Sequence, residues 1–127
     1  MDGRFRQINR TMNRYEKGKQ GEDRAVRYLE REGYVVIRRN FRSRRGEIDV
    51  VALRGDQLVF AEVKSWDVLH SEDLEYAINA RKQRRIIETS KLFMVRNPQL
   101  ADLRLRYDLL FFSEDRGADP LHIENAF

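Results

Sequence analysis

Residues 46–64 read GEIDVVALRGDQLVFAEVK. Two runs rich in β-branched and apolar residues, 48–53 and 57–64, flank Arg54-Gly55-Asp56. Gly-Asp between two such runs is a hairpin signal. With Gly55-Asp56 as a two-residue loop, Arg54 pairs with Gln57, Leu53 with Leu58 and Ala52 with Val59. Continuing the count sets Asp49 opposite Glu62 on one face of the sheet. Opposed residues hold their Cβ atoms about 4.5–5.5 Å apart. Two carboxylates at that spacing repel, so a cation belongs between them. A divalent ion is one answer. Lys64 is another, since it lies two residues past Glu62 and points to the same face. The neighbours are apolar on both faces, as in central strands, where three ionisable side chains are costly unless paired or metal-bound. The plain alternative is an ordinary ion pair at a wet strand end.

Working outward, residues 16–32 read as a helix, with Ala25, Val26 and Leu29 in an apolar stripe and Gly33 just past its end. Residues 34–37 read as a strand. Ser71 is a candidate N-cap for a helical region reaching about Val95, with a break near Asn79. Residues 103–112 supply another strand and 121–123 a short one. The order α-β-β-β-α-β, then a further β, predicts an α/β protein with a mixed sheet flanked by helices. Residues 1–14 read as a flexible basic tail and 15–127 as a single domain.

The chain has 127 residues, a net charge of +4 and no cysteine. Disulfides and thiolate metal sites are excluded, and a reducing, cytoplasmic setting fits. A metal must be held by oxygens or by the two histidines, His70 and His122, and oxygen-rich sites favour Mg²⁺ or Mn²⁺. No apolar run is long enough for a membrane helix, and the first residues lack the apolar core of a secretory signal. Arginines and lysines cluster at 38–39, 42–45 and 81–85, a distribution suited to a phosphate backbone and equally to a solvated surface.

Other candidates are weaker. Glu22 shares the helical stripe of Ala25, Val26 and Leu29, but a frayed helix start explains it as well. Gln83 lies on a stripe with Ala80, Ile87, Ser90 and Met94 between basic neighbours, and a surface glutamine is the simpler reading. The histidines stand in no ligand-spaced motif, and Trp66 fits a core or hinge role as well as stacking on a base.

Gly46-Glu47-Ile48-Asp49, twelve intervening residues and Glu62-Val63-Lys64 read as the D-(x)n-ExK form of the PD-(D/E)XK nuclease motif. With residues 18–22 (GKQGE), 39–42 (RNFR), 60–64 (FAEVK), 82–86 (KQRRI) and 125–127 (NAF), the chain resembles the YraN family over residues 13–127. That bacterial family is named as a predicted endonuclease and is similar to archaeal Holliday-junction resolvases. The resemblance implies a restriction-endonuclease-like αβββαβ core. It implies that Asp49, Glu62 and the Val63 backbone carbonyl ligate Mg²⁺ or Mn²⁺, with Glu22 completing the acidic cluster. Lys64 would orient the attacking hydroxide, and Gln83 would support the site from the later helix. Arg42, Arg44, Arg45, Lys82, Arg84 and Arg85 would hold DNA, branched DNA among the candidates, and a homodimer would suit a four-way junction. Ser65-Trp66 departs from the family's usual hydroxyl residue followed by arginine, which leaves one substrate-contacting charge in doubt. A non-catalytic DNA-binding or repair-scaffold protein and an RNA-directed nuclease are the rival expectations.

Overall fold

The computed structural model describes residues 14–65, 79–113, 115 and 117–127. The expected tail up to residue 13, Trp66, His70 and the helix start at Ser71 lie outside the described residues. Helix α1 (Arg14–Arg31) leads to strands β1 (Val35–Ser43), β2 (Gly46–Arg54) and β3 (Gln57–Ser65). Helix α2 (Ala80–Arg96), a short 3-10 turn (Pro98–Leu100), β4 (Arg104–Phe112) and β5 (Leu121–Ile123) follow. The αβββαβ order and the short closing strand are those expected from the sequence.

Local chemistry sets the boundaries. Gly33, with φ of 91°, ends α1, and the Tyr34 N–H returns to the Leu29 carbonyl at 2.9 Å. Asn79 caps α2, its side-chain oxygen accepting from the Lys82 N–H at 2.9 Å. Gly55, with φ of 60°, takes the first central position of the β2–β3 turn, where a type II′ turn requires glycine.

The strands lie in the order β1-β2-β3-β4-β5. The first three form an antiparallel meander, β3 and β4 run parallel, and β5 pairs antiparallel with β4. A parallel pair needs a crossover, and α2 lies in it. Ala25 and Leu29 of α1 pack with Val50, Ala52, Val59 and Ala61 on one face. Phe93 of α2 packs with Phe41, Ile48, Val51, Leu58 and Phe60 on the other. Burying both faces makes the central strands almost continuously apolar.

A polar network is also buried. Arg106 donates through Nε and Nη2 to Asp108, and it meets Gln57 and the Tyr34 hydroxyl. His122 Nε2 lies 2.7 Å from Asp108, and its Nδ1 lies 3.0 Å from the Tyr28 hydroxyl. The Asn125 N–H also donates to Asp108 at 3.0 Å. The network ties β5 and the following turn to α1 and β4, and gives His122 a structural place.

Candidate metal centre

The β2–β3 register is the one counted from the turn, running from Arg54↔Gln57 to Val50↔Ala61. The paired run ends there, one step short of Asp49. Beyond it the Val63 N–H donates to the Asp49 carboxylate at 2.8 Å. Facing departs from simple alternation. Ile48 packs toward α2 and Val50 toward α1, although they are two residues apart. The partner strand shows why. Arg39 pairs with Val50 and Phe41 with Ile48, so Asn40 stands opposite Asp49. Asn40 has φ of 52°, the left-handed region that asparagine tolerates better than most residues. The hairpin changes face at this point, and Asp49 sits in the change.

The twist lets α1 reach the strand. Asn40 Nδ2 donates to Glu22 Oε2 at 2.8 Å, and Arg39 lies 3.7 Å from the same oxygen. Glu22, Glu47 and Asp49 each bring a carboxylate oxygen within 4.8 Å of the others. Glu22 is therefore part of an acidic cluster and not only a helix-end residue. Glu47 was not singled out in the sequence. Its signal was present, because it precedes Asp49 by two residues, the strand period. Its only other ion-pair partner among the described residues is Arg42, at 3.4 Å.

Electrostatics at Asp49 follow from this crowding. Burial, then the charge of Glu62, raises its pKa to about 8, against the lowering effect of the Val63 N–H. Glu47 and Glu22 push the same way. Glu62 itself pairs with Lys64, Oε1 to Nζ at 3.1 Å. Burial opposes the Lys64 charge, but Glu62 and then Asp49 outweigh it and hold its pKa above the usual range. Lys82, from the first turn of α2, reaches Lys64, and burial followed by that second ammonium lowers its pKa.

The remaining candidates divide. Gln83 is half-buried and engaged, while Arg81, Lys82, Arg84 and Arg85 around it are exposed. Arg42 pairs with Glu47, and Arg45 pairs with Glu88 at 3.2 Å. Gly46 allows β2 to approach α2, since an added Cβ would meet Thr89 Oγ1 at 3.1 Å and the Arg85 Cβ at 3.4 Å. Among the described residues, no helix is long and apolar enough to cross a membrane.

Together these features define a mixed-sheet α/β protein whose strand β2 carries carboxylates that could hold a metal ion. The chain belongs to uncharacterised protein family UPF0102, whose family model matches residues 21–112. That is the family of the YraN likeness. It is 40% identical to a UPF0102 protein of Azorhizobium caulinodans over 111 residues, covering 87% of this chain and 82% of the relative. A UPF0102 protein of Treponema pallidum is 36% identical, covering 84% and 88%. One from Persephonella marina is 37% identical, covering 87% and 92%.

Proposed function

We propose that this protein is a divalent-metal-dependent endonuclease of the PD-(D/E)XK type, acting in the cytoplasm on the phosphodiester bonds of DNA. The observation that carries the reading is the acidic cluster of Glu22, Glu47 and Asp49 on a sheet whose next strand bears Glu62 and Lys64. The donor set suits a hard cation. It consists of carboxylate oxygens that repel one another, and burial with the charge of Glu62 pushes the Asp49 pKa up to about 8. Glu22, Glu47, Asp49, Glu62 and the Val63 carbonyl are the candidate ligands for Mg²⁺ or Mn²⁺. Such an ion supplies charge neutralisation at a phosphate and a lowered pKa for water.

The chain's own residues supply the rest. Lys64, paired with Glu62, would offer a cation to an attacking oxygen or a phosphate oxygen. Gln83 supports the site from α2. The exposed Lys82, Arg84 and Arg85 at the start of α2, with Arg42, Arg44 and Arg45 beside Glu47, supply charge to hold a backbone without reading its sequence. Branched DNA is the proposed substrate class, and a homodimer would serve a four-way junction. The test is cleavage by purified protein of duplex, flap, four-way-junction and single-stranded DNA, with matched RNAs, with and without Mg²⁺ or Mn²⁺. Binding without metal-dependent cleavage of any substrate would make it a scaffold. Cleavage of RNA alone would reassign the substrate.

A further inference from the structure

A groove of about 630 Å³ opens beside the β1–β2 turn, and apart from Arg44 and Arg45 its lining has no part in the proposed chemistry. It lies between the β1–β2 turn and the second half of α2, lined by Ser43, Arg44, Arg45, Glu88 and Lys91, with Leu92, Val95 and Arg96. Four cations face one carboxylate. Glu88 is shared by Arg45 at 3.2 Å and Lys91 at 3.6 Å. Neither Arg44 nor Arg96 forms an ion pair with a described residue. Arg96 lies over the Phe41 ring, 5.8 Å from its centroid. The floor is apolar, and Val95 is 76% exposed. An exposed aliphatic floor beneath a cationic rim fits a partner that is anionic along one edge and flat and apolar beside it.

The groove and the acidic cluster share the β1–β2 hairpin. Arg44-Arg45 are the two-residue turn between the paired Ser43 and Gly46, and Glu47 follows. Arg42, just before the turn, reaches back to Glu47.

We propose that this groove holds an unpaired strand of nucleic acid, with bases on Leu92 and Val95 and phosphates on Arg44, Lys91 and Arg96, so that the bound substrate joins a duplex to a single strand. A duplex offers a groove of this kind only its sugar–phosphate edge. An unpaired strand offers base faces as well, and apolar side chains hold these. The inference rests on the nucleic-acid reading of the site, but not on hydrolysis.

The test is fluorescence anisotropy in EDTA with two probes, a blunt duplex and the same duplex carrying an oligothymidine tail. The parent is expected to bind the tailed probe about tenfold more tightly, with the tail adding to the salt dependence. Arg44→Gln, Lys91→Gln and Arg96→Gln together should abolish that preference and lower the log–log salt slope by about 0.7 for each lost single-strand contact. Val95→Trp should tighten binding of the tailed probe severalfold through added stacking, a gain that misfolding cannot mimic. Equal parental affinity for the two probes, or equal loss on both in the triple variant, overturns the proposal. So does displacement of the tail by an oligoglutamate of equal charge, or a self-association that Val95→Trp strengthens without tightening the tailed probe. A protein that prefers the tail in EDTA but cleaves no DNA when Mg²⁺ or Mn²⁺ is supplied refutes the nuclease reading and leaves the groove standing. Metal-dependent cleavage without tail preference does the reverse.

Discussion

Asp49→Asn separates a metal centre from a structural ion pair. The Asp49 carboxyl has its pKa pushed up to about 8 by burial and by Glu62, from 3.8. A raised folded-state pKa means that the fold favours the protonated form. The apo protein therefore loses stability as pH rises from about 4 to about 8. One pKa unit is worth about 1.36 kcal/mol, so the ceiling on this loss at pH 7 is about 4 kcal/mol. Asparagine cannot ionise, and its side-chain oxygen still accepts the Val63 N–H. The variant should melt with the parent near pH 4 and progressively above it toward pH 8. At about 3–5 °C for each kcal/mol in a domain of this size, the difference at neutral pH should be several degrees.

Metal works against this ranking. At a hundredfold excess over Kd, Mg²⁺ or Mn²⁺ should stabilise the parent by about 2.7 kcal/mol, and Asp49→Asn much less. Metal-dependent cleavage should be lost in the variant. The assay is a set of melting curves across pH, with and without metal, beside a nuclease assay. If Asp49 served chiefly to balance Lys64, the apo variant would melt lower at neutral pH because it leaves that ammonium with less compensation. A variant that melts lower without metal, keeps the parental metal response and still cleaves DNA refutes the assignment.

Glu22→Gln should lower cleavage more than DNA binding, because this carboxylate lies with those of Glu47 and Asp49; parental activity would return Glu22 to a helix-end role. Arg84→Ala with Arg85→Ala should weaken duplex binding and reduce the log–log salt slope by about 0.9 per lost phosphate contact, and an unchanged slope would remove this cluster from the footprint. Asp108→Asn should destabilise the fold by about 3–5 kcal/mol, since it strips the charge partner from buried Arg106, yet leave the stabilising increment from metal intact. Burial opposes the Asp108 charge, but hydrogen bonds from His122, Arg106 and Asn125 hold its pKa below 3.8. Its stabilising effect is therefore present above pH 4 and lost as pH falls through the lowered pKa, and acid melts of the variant should lack that component.

Much of this was legible in the sequence because local rules and tertiary structure agree over residues 46–64. The Gly55-Asp56 turn fixed the register from Arg54↔Gln57 inward, and apolar neighbours marked β2 and β3 as central strands. The same reasoning brought Glu62 to Asp49, whose pKa it raises, but passed over Glu47, two residues before Asp49. No period in the sequence announces the left-handed Asn40, because its conformation is set by the pairing of β1 with β2 and by its hydrogen bond to Glu22. The Arg106–Asp108–His122 network was equally hidden. Its members lie in two strands, and the tyrosines that complete it come from α1 and from the residue just before β1.

The position of the acidic cluster follows from that one irregularity. A regular strand would direct Glu47, Asp49 and Val51 to one face, toward α2, and Glu22 on α1 would be separated from them by the sheet. The change of face at Asp49, opposite Asn40, removes the barrier. A helix on one side of the sheet and a strand hairpin can then present carboxylates to a common point. The strain of a left-handed non-glycine residue is of order 1–3 kcal/mol. Asn40 offsets part of it by holding Glu22 at 2.8 Å. Strain and charge repulsion thus fall on the same few residues. A cation bound among these carboxylates would relieve the repulsion directly, and it would give the strained hairpin a ligand that stabilises it.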